Sequence, residues 1–315
     1  MYEKWKGVHT RCAFNMIQEL IPLTRPRTLA AALGPTILGA AFSYYAFGAA
    51  QGTGLAILHT VLIFLAVVTA QIVANLWNEY KDFKSGLDAG QKVGNAGSIT
   101  RGVITPELII TMIKVLMFVP ITIGLYLSAT ITWYYIPVGF LCILISFLYS
   151  GGPKPISRTP FGEISSGIAM GFAIVLITGY AWIRELSLAL LIPAIRSTLL
   201  VGSIMLTNNI RDIRNDESHG RHTLPIVLGR ERALSLMSIS YIFNFIWIIA
   251  WIIVGHMTWF ALLAFLAAPL AFKTIHTLST NTDEFQLDKA MGTTAGAAMI
   301  YQLMWAIGLI MGKLF

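Results

Sequence analysis

The sequence predicts an all-α membrane protein with nine membrane-spanning helices. Of its 315 residues, 56% are hydrophobic and 12% are charged, and the mean hydropathy is +0.70. A soluble globular domain carries about twice that share of charged residues. The apolar residues also fall in runs long enough to cross a hydrocarbon core about 30 Å thick. Composition and run length together exclude a soluble fold.

The spans follow one another with short connections. The first begins at about residue 28, after the segment TRPRTL. The other eight are predicted at residues 54–78, 107–126, 129–149, 163–183, 187–208, 233–254, 258–278 and 290–312. No boundary of a soluble domain interrupts this series, so residues 1–315 are predicted to form a single transmembrane domain. No cleaved signal peptide is expected, because no short apolar segment with a cleavage pattern precedes the first span.

Residues 1–23 mix aromatic and aliphatic side chains with basic ones. This pattern is typical of a helix lying in the membrane interface, and a disordered tail fits it equally well. Basic residues precede the first span and fill the long polar connections after spans two, four and six. The positive-inside rule therefore places the amino terminus and these connections in the cytoplasm, with the protein in the cytoplasmic membrane. The net charge of +7 is explained in this way, and no nucleic-acid partner is expected.

Two polar segments share one spacing of amides, acids and a glycine. The first is ANLWNEYKDFKSGLD, which follows span two, and the second lies in LTNNIRDIRNDESHGRHTLP, which follows span six. Their matching positions are Asn75, Asn78, Asp82 and Gly86 in motif one, and Asn209, Asp212, Asp216 and Gly220 in motif two. Carboxylates four residues apart share a helix face. Isolated loop acids often cap helices or pair with arginines, but that reading does not explain a repeated spacing. The repeat predicts a duplicated metal-binding device.

The chemistry of the two motifs suits a diphosphate. Magnesium in proteins is held by one or two carboxylates together with water and substrate phosphates. Metal and neighbouring cations make a diphosphate a better leaving group by neutralising its charge. Inside a membrane, a donor with this chemistry is a polyprenyl diphosphate, whose tail stays in lipid while its head meets the polar segments.

These two motifs resemble the aspartate-rich signatures of the UbiA superfamily of intramembrane prenyltransferases. TRPRTL, SITRGVITPE, YSGGPKPISRTPFGE and NNIRD are similar to the branch that prenylates 1,4-dihydroxy-2-naphthoate in menaquinone synthesis. The resemblance covers nearly the whole chain. It implies nine helices around a central cavity, Mg²⁺ as cofactor, and transfer of a polyprenyl group to 1,4-dihydroxy-2-naphthoate with loss of CO₂, giving demethylmenaquinone. The alternative is another acceptor on the same scaffold: 4-hydroxybenzoate, homogentisate or haem.

The resemblance also implies site residues. Those expected to be catalytic are Asp82, Asp212, Asp216 and Asn78. The expected metal ligands are Asn78, Glu79, Asp82, Asp88, Asp212 and Asp216. Glu79 stands where the family usually has aspartate, so it binds the metal either directly or through water. The expected diphosphate-binding residues are Arg101, Lys154, Arg221, Arg211, Lys92, Asn75, Asn209 and Tyr149. The positive-inside bias is the alternative explanation for each basic residue, and an interfacial aromatic belt is the alternative for Tyr149.

Two other functional classes fit the sequence less well. A transporter predicts charged residues deep in several spans and inverted repeats. Here the acids gather at one membrane face and the two motifs are separated by an even number of spans, so the repeats are parallel. A purely structural scaffold leaves the matched spacing unexplained. Arg196, in the middle of span six, is expected to face the bundle interior, with structural pairing favoured over catalysis.

Overall fold

A computed structural model describes residues 21–87 and 97–315 of the chain. Within these residues the regular elements are helices and no strand occurs, so the predicted all-α fold is confirmed. The long helices are α1 (Ala30–Phe47), α2 (Thr53–Ser85), α3 (Pro106–Thr130), α4 (Tyr135–Ser150), α5 (Gly162–Ile183), α6 (Leu188–Arg211), α7 (Arg230–Ile253), α8 (Trp259–Thr280) and α9 (Glu284–Leu314).

Seven of these helices are long and apolar enough to cross a membrane, counted over the described residues. The other two are α1, with 18 residues, and α4, with 16. A straight crossing needs about 20 residues, so whether α1 and α4 complete the predicted count of nine stays a prediction. The protein is an integral, multi-pass membrane protein. Residues 1–20 fall outside the described part of the chain, and the predicted interfacial segment at 1–23 stays a prediction.

Helix α2 extends seven residues beyond the predicted end at residue 78, because Glu79–Ser85 continues the helix. The helix ends at Gly86, whose backbone adopts the left-handed conformation (φ 73°) that glycine tolerates without strain. Motif one therefore projects from the last turns of a rigid helix rather than from a flexible loop. Gly220 has the same left-handed backbone (φ 68°) after motif two.

The bundle closes on itself because the last helix packs against the first. Helix α9 lies against α8, α1 and α6, and α1 also contacts α5 and α2. Helix α6 is the most enclosed of the seven spans, with 56% of its apolar window buried, whereas α3 has 11% buried and faces outward. Motif two extends from the central helix α6, so the fold places it at the middle of one bundle end.

Helices α5 and α6 pack with their backbones in close contact. Residues Gly167–Phe172 of α5 form a π-helical turn. Gly167 and Gly171 lie against the backbone of Thr198 and Ser197 in α6, where a Cβ atom would clash. Small residues at such a contact let two membrane helices approach closely. This contact sets the start of α5 beside the end of α6, where motif two begins.

Candidate active site

The two acidic motifs meet at one end of the bundle, joined by Arg221. Its guanidinium Nη2 lies 2.8 Å from the Asp82 Oδ1 of motif one, and its Nη1 lies 3.3 Å from the Asp216 Oδ1 of motif two. The three side chains are largely buried, with exposed fractions of 12%, 13% and 3%. Two segments more than 120 residues apart in the sequence therefore share one cation. The two motifs meet in the structure, as the sequence predicts.

Two more arginines act on Asp82. The positive charges of Arg25 and Arg158 lie within electrostatic range of its carboxylate, after that of Arg221. Arg25 precedes α1 and has a left-handed backbone (φ 50°), which is uncommon for a residue with a side chain. Arg158 belongs to the connection between α4 and α5, where its carbonyl oxygen accepts a hydrogen bond from the His222 N–H at 3.0 Å. Arg25, Arg158 and Arg221, which come from three separate segments, therefore all lie within electrostatic range of Asp82, and we call these three residues the arginine cluster.

Motif two spans a break between two helices. Helix α6 ends at Arg211, and the short helix Ile213–Ser218 follows. Asp212 lies at the junction, but the Asp216 N–H still donates to the Asp212 carbonyl at 2.8 Å. The i to i+4 relation therefore survives the break, and the two carboxylates stay on the same side. The charges of Asp212 and Asp82 both act on Asp216, so the three carboxylates lie in one electrostatic cluster.

Arg211 is held by partners on three residues. Its guanidinium makes a two-pronged contact with Asp212, with both distances 2.7 Å. It also donates to the Asp288 Oδ1 of α9 at 2.8 Å and to the Asn208 side-chain oxygen at 2.9 Å. A two-pronged arginine contact fixes the orientation of a carboxylate as well as its charge. Asp212 is thus oriented by Arg211, which Asp288 ties to the last helix.

Several oxygen atoms in the site lack a partner. Asn78 Oδ1, Asp216 Oδ2 and Glu79 Oε2 are buried without a hydrogen bond. Buried polar atoms almost always have partners, so unpaired oxygens indicate a missing donor or cation. Among the residues described, no three His, Cys, Asp or Glu side chains form a complete metal-binding group. Magnesium needs fewer protein ligands when phosphate and water supply the rest, so these oxygens fit that ion.

Burial raises the pKa of Asp216 to about 7, and the charges of Asp212 and Asp82 act in the same direction while Arg221 opposes them. This carboxyl lies outside the membrane spans, in the short helix after α6. A raised pKa means that the protein alone does not fully stabilise the charge on Asp216. A further cation at this position would relieve the repulsion among the three carboxylates.

Glu79 holds a loop in place. Its Oε1 accepts hydrogen bonds from the backbone N–H groups of Gly97 (2.9 Å) and Ser98 (2.8 Å), and the residue is 1% exposed. The loop carries Arg101, whose Nη2 lies 3.2 Å from the Ser98 hydroxyl. One carboxylate oxygen of Glu79 therefore anchors this loop, and the other has no hydrogen-bond partner within the described part of the chain.

The remaining predicted residues are placed as follows. Asn75 donates from its side chain to the Thr24 carbonyl at 3.0 Å, which fixes the segment beside Arg25. Arg101 and Lys154 are exposed on loops at this end of the bundle. Asp88 and Lys92 lie outside the described residues, so their roles stay predictions.

Asn209 and Tyr149 both interact with Glu163, a buried acid beside motif two. The Asn209 side-chain nitrogen donates to the Glu163 Oε1 at 2.8 Å. The Tyr149 hydroxyl pairs with Ser166 and is within electrostatic range of Glu163, Arg221 and Arg25. Tyr149 therefore lies within electrostatic range of Glu163 and of two site arginines, and its role in binding the diphosphate stays a prediction.

Four residues of this site are absent from the predicted set: Arg25, Arg158, Glu163 and Asp288. The first three stand in TRPRTL and YSGGPKPISRTPFGE, the segments that carry the resemblance, so those segments held a usable signal. Asp288 has no such signal. Its role depends on a contact between helices 77 residues apart in the sequence.

Arg196 faces the bundle interior, as its position predicts, and is 1% exposed. Its guanidinium lies 4.0 Å from the ring centre of Phe243 and 4.4 Å from that of Trp247, both in α7. The partner of this buried cation is therefore a pair of aromatic rings rather than an acid. This contact is structural pairing between α6 and α7.

Comparison with known proteins gives a consistent result. Residues 32–307 match the profile of the UbiA prenyltransferase family. A relative from Bacillus subtilis (strain 168), named 1,4-dihydroxy-2-naphthoate octaprenyltransferase, is 34% identical over 300 residues, which cover 94% of this chain and 93% of the relative. A Mycobacterium tuberculosis protein of the same name is 29% identical, covering 92% of this chain and 96% of the relative.

Solved structures share the fold. A UbiA homolog from Aeropyrum pernix K1 superposes with a TM-score of 0.67 at 17% identity, covering 90% of this chain and 97% of that one. A UbiA homolog from Archaeoglobus fulgidus bound to DMAPP and Mg²⁺ superposes with a TM-score of 0.59 at 16% identity, covering 93% of this chain and 99% of that one. At these identities the likeness concerns the fold.

Proposed function

Because the chain belongs to the UbiA prenyltransferase family, we propose that it transfers a polyprenyl group from a prenyl diphosphate to 1,4-dihydroxy-2-naphthoate. Carbon dioxide leaves from the attacked ring position, and the product is demethylmenaquinol, the dihydroxy form that a separate two-electron oxidation converts to demethylmenaquinone. The single observation that carries this proposal is the bridge from Asp82 through Arg221 to Asp216, which joins both acidic motifs at one end of the bundle and supports a shared site for a diphosphate. The names of the bacterial relatives favour this acceptor.

Four residues are proposed to hold Mg²⁺: Asn78, Asp82, Asp212 and Asp216. Their fit rests on the free oxygens of Asn78 and Asp216 and on the crowding of three carboxylates. A bound magnesium ion would neutralise charge on the departing diphosphate. Glu79 is proposed to act through water, since one of its oxygens already holds the loop at residues 97–98.

The arginines are proposed to divide two tasks. Arg25, Arg158 and Arg221 lie within electrostatic range of Asp82, and their guanidinium groups suit phosphate oxygens in both shape and charge. If Asp82 and Asp216 held Mg²⁺, the guanidinium of Arg221 would be free to contact the diphosphate instead of these two carboxylates. Arg211 is saturated by Asp212, Asp288 and Asn208, so its proposed task is to orient Asp212. Arg101 and Lys154, exposed on the neighbouring loops, are proposed to meet the outer phosphate.

The rest of the reaction needs a site without water. Breaking the allylic carbon–oxygen bond leaves a carbocation that water would quench, and the enclosed bundle keeps water away from it. The electron-rich naphthoate ring attacks this carbon, and the new carbon–carbon bond forms at the ring carbon that carries the carboxylate. Loss of that carboxylate as CO₂ restores the aromatic ring. The protein is proposed to lie in the cytoplasmic membrane with the motif end facing the cytoplasm, as its basic connections predict.

Product identification tests this proposal. Purified protein is incubated with Mg²⁺ and prenyl diphosphates of several chain lengths, together with 1,4-dihydroxy-2-naphthoate, 4-hydroxybenzoate or homogentisate in separate reactions. Mass spectrometry is expected to detect a prenylated and decarboxylated naphthalenediol, or its quinone, only in the first reaction. A product from one of the other acceptors would replace the assigned acceptor, and no product from any of them would overturn the proposed function.

A further inference from the structure

Glu163 is a buried acid that the steps above do not use. It lies in the first turn of α5, is 5% exposed, and has its Oε1 engaged by the Asn209 side chain at 2.8 Å. Its Oε2 is buried without any hydrogen-bond partner. Within residues 21–87 and 97–315, no lysine or arginine forms an ion pair with Glu163. Half of this carboxylate is therefore without a partner in a position where a free oxygen is costly.

The fold holds Glu163 there by packing rather than by charge. The carbonyl of Glu163 lies close enough to Gly202 of α6 that a side chain at that position would press against it. The π-helical turn after Ser166 and the close glycine contacts at Gly167 and Gly171 lock the same stretch of α5 onto α6. π-Helical turns within α-helices are frequent at functional sites. The close backbone contact between α5 and α6 therefore fixes the Glu163 carboxylate beside motif two.

Two links place Glu163 within the candidate active site. One is Asn209, the first residue of motif two. The other is Tyr149, whose hydroxyl lies within electrostatic range of Glu163, Arg221 and Arg25. Glu163 therefore lies beside Asn209 of motif two and within electrostatic range of Tyr149, which also interacts with Arg221 and Arg25. A cation would be drawn to Asp82 and Asp216, which Arg221 joins, so the chemistry suited to the free oxygen of Glu163 is a neutral hydrogen-bond donor.

We propose that Glu163 binds the aromatic acceptor, accepting a hydrogen bond from a ring hydroxyl through its Oε2. The inference rests on the proposed function, because it assumes that an aromatic acceptor with a hydroxyl group enters this site. Hydrogen bonds from a hydroxyl to a carboxylate are short and about twice as strong as neutral ones. Such a bond fixes which ring carbon faces the allylic carbon and increases the electron density of the ring. Asn209 keeps the carboxylate turned toward the acceptor.

The variant Glu163→Gln isolates the charge. Glutamine keeps an oxygen for Asn209 but places an N–H₂ group where Oε2 stood. We expect kcat/KM for 1,4-dihydroxy-2-naphthoate to fall roughly 10- to 100-fold, the range for a hydrogen bond to a charged group. The matched control is Glu185→Gln, an exposed glutamate in the connection at the opposite end of the bundle, which should behave like wild type. Stabilisation against heat by geranyl diphosphate and Mg²⁺ is expected to be the same in all three proteins.

A pair of acceptors separates contact with the substrate from a merely structural effect. Wild type and Glu163→Gln are each assayed with 1,4-dihydroxy-2-naphthoate and with analogues in which one hydroxyl is methylated. If Glu163 holds a hydroxyl, methylating that group slows the wild type roughly 10- to 100-fold and slows the variant by much less, since the effects of two changes at one contact do not add. Equal slowing of both proteins by every analogue would overturn the inference.

A second variant and the activity of the wild type separate a failure of the Glu163 inference from a failure of the proposed function. If Glu163→Gln is inactive or misfolded, Glu163→Asp, which keeps the charge one methylene farther back, takes its place in the same comparison with the methylated acceptors. If wild type prenylates none of the acceptors, the proposed function fails independently of Glu163. If wild type is active and Glu163→Gln matches it, only the inference about Glu163 fails.

Discussion

Arg221 donates a hydrogen bond to Asp82 across 139 residues of sequence, with 2.8 Å between Nη2 and Oδ1. The same guanidinium reaches Asp216, so one arginine stands between the acidic residues of both motifs. A cation in this position keeps the carboxylates together when no metal is bound.

Replacing Arg221 with glutamine is expected to lower kcat at least about 100-fold, because the variant loses a cation that would meet the developing charge on the diphosphate. Arg221→Lys should recover only part of the rate, since lysine cannot contact two oxygens in a fixed plane. Steady-state rates measured in detergent or vesicles provide the comparison. Arg214→Gln is the control, because Arg214 is an exposed arginine in the same segment. Equal rates for the Arg221 and Arg214 variants would remove Arg221 from the mechanism.

Replacing Asp82 or Asp212 with asparagine is expected to abolish measurable turnover at any Mg²⁺ concentration while membrane insertion stays intact. Each change removes one charge from the cluster that is proposed to hold the metal and leaves the helices unchanged. Glu217→Gln serves as the control, since Glu217 is exposed one residue after Asp216. Product yield and the amount of protein recovered from membranes are measured together. Wild-type turnover in either aspartate variant would refute the proposed metal site.

Asp288 is expected to act through Arg211 on the affinity for magnesium. The contact of 2.8 Å between Asp288 and Arg211 steadies the guanidinium that orients Asp212. Asp288→Asn should raise the Mg²⁺ concentration needed for half-maximal rate about 10- to 100-fold, as removal of outer-shell partners does at metal sites. The acceptor KM should change little. A cycle combining Asp288→Asn with Arg211→Gln tests the coupling, and strictly additive effects would show that the two residues act separately.

Magnesium binding is expected to weaken as the pH falls below about 7. Burial raises the pKa of Asp216 to about 7, so below that pH its carboxyl is protonated and a metal must displace a proton. The apparent Mg²⁺ affinity should drop about tenfold per pH unit between about pH 7 and pH 5. Mg²⁺-dependent thermal stabilisation measures this without requiring activity. Asp216→Asn should bind more weakly and lose the slope, and an unchanged slope in that variant would assign the proton to another group.

The same raised pKa has a consequence for stability without metal. An aspartate whose pKa is about 7 in the folded protein and about 3.8 when unfolded binds its proton more tightly in the folded state. The folded state then binds more protons than the unfolded one between these values, so stability falls as the pH rises from about 4 to about 7. Mg²⁺ should cancel this loss at neutral pH. Melting temperatures recorded from about pH 5 to pH 8, with and without Mg²⁺, check both statements.

The sequence by itself determined the all-α membrane fold and the existence of two matched acidic motifs. Long apolar runs need no distant partner to form helices in lipid, because every backbone hydrogen bond is satisfied within the segment. The spacing of Asn78 and Asp82, or of Asp212 and Asp216, is also a local property, since residues four apart share a face of any helix. Such features can be read from a few neighbouring residues.

Only the tertiary structure decided which cations serve which acids. Arg211 and Arg221 look equivalent in the sequence, yet one is saturated by Asp212 and Asp288 while the other bridges the two motifs. Glu163 and Asp288 gain their roles from helices that pack against α6 from distant parts of the chain. The reason is physical: a side chain's partner depends on which helices touch and how each is rotated, and the packing of the whole bundle sets both.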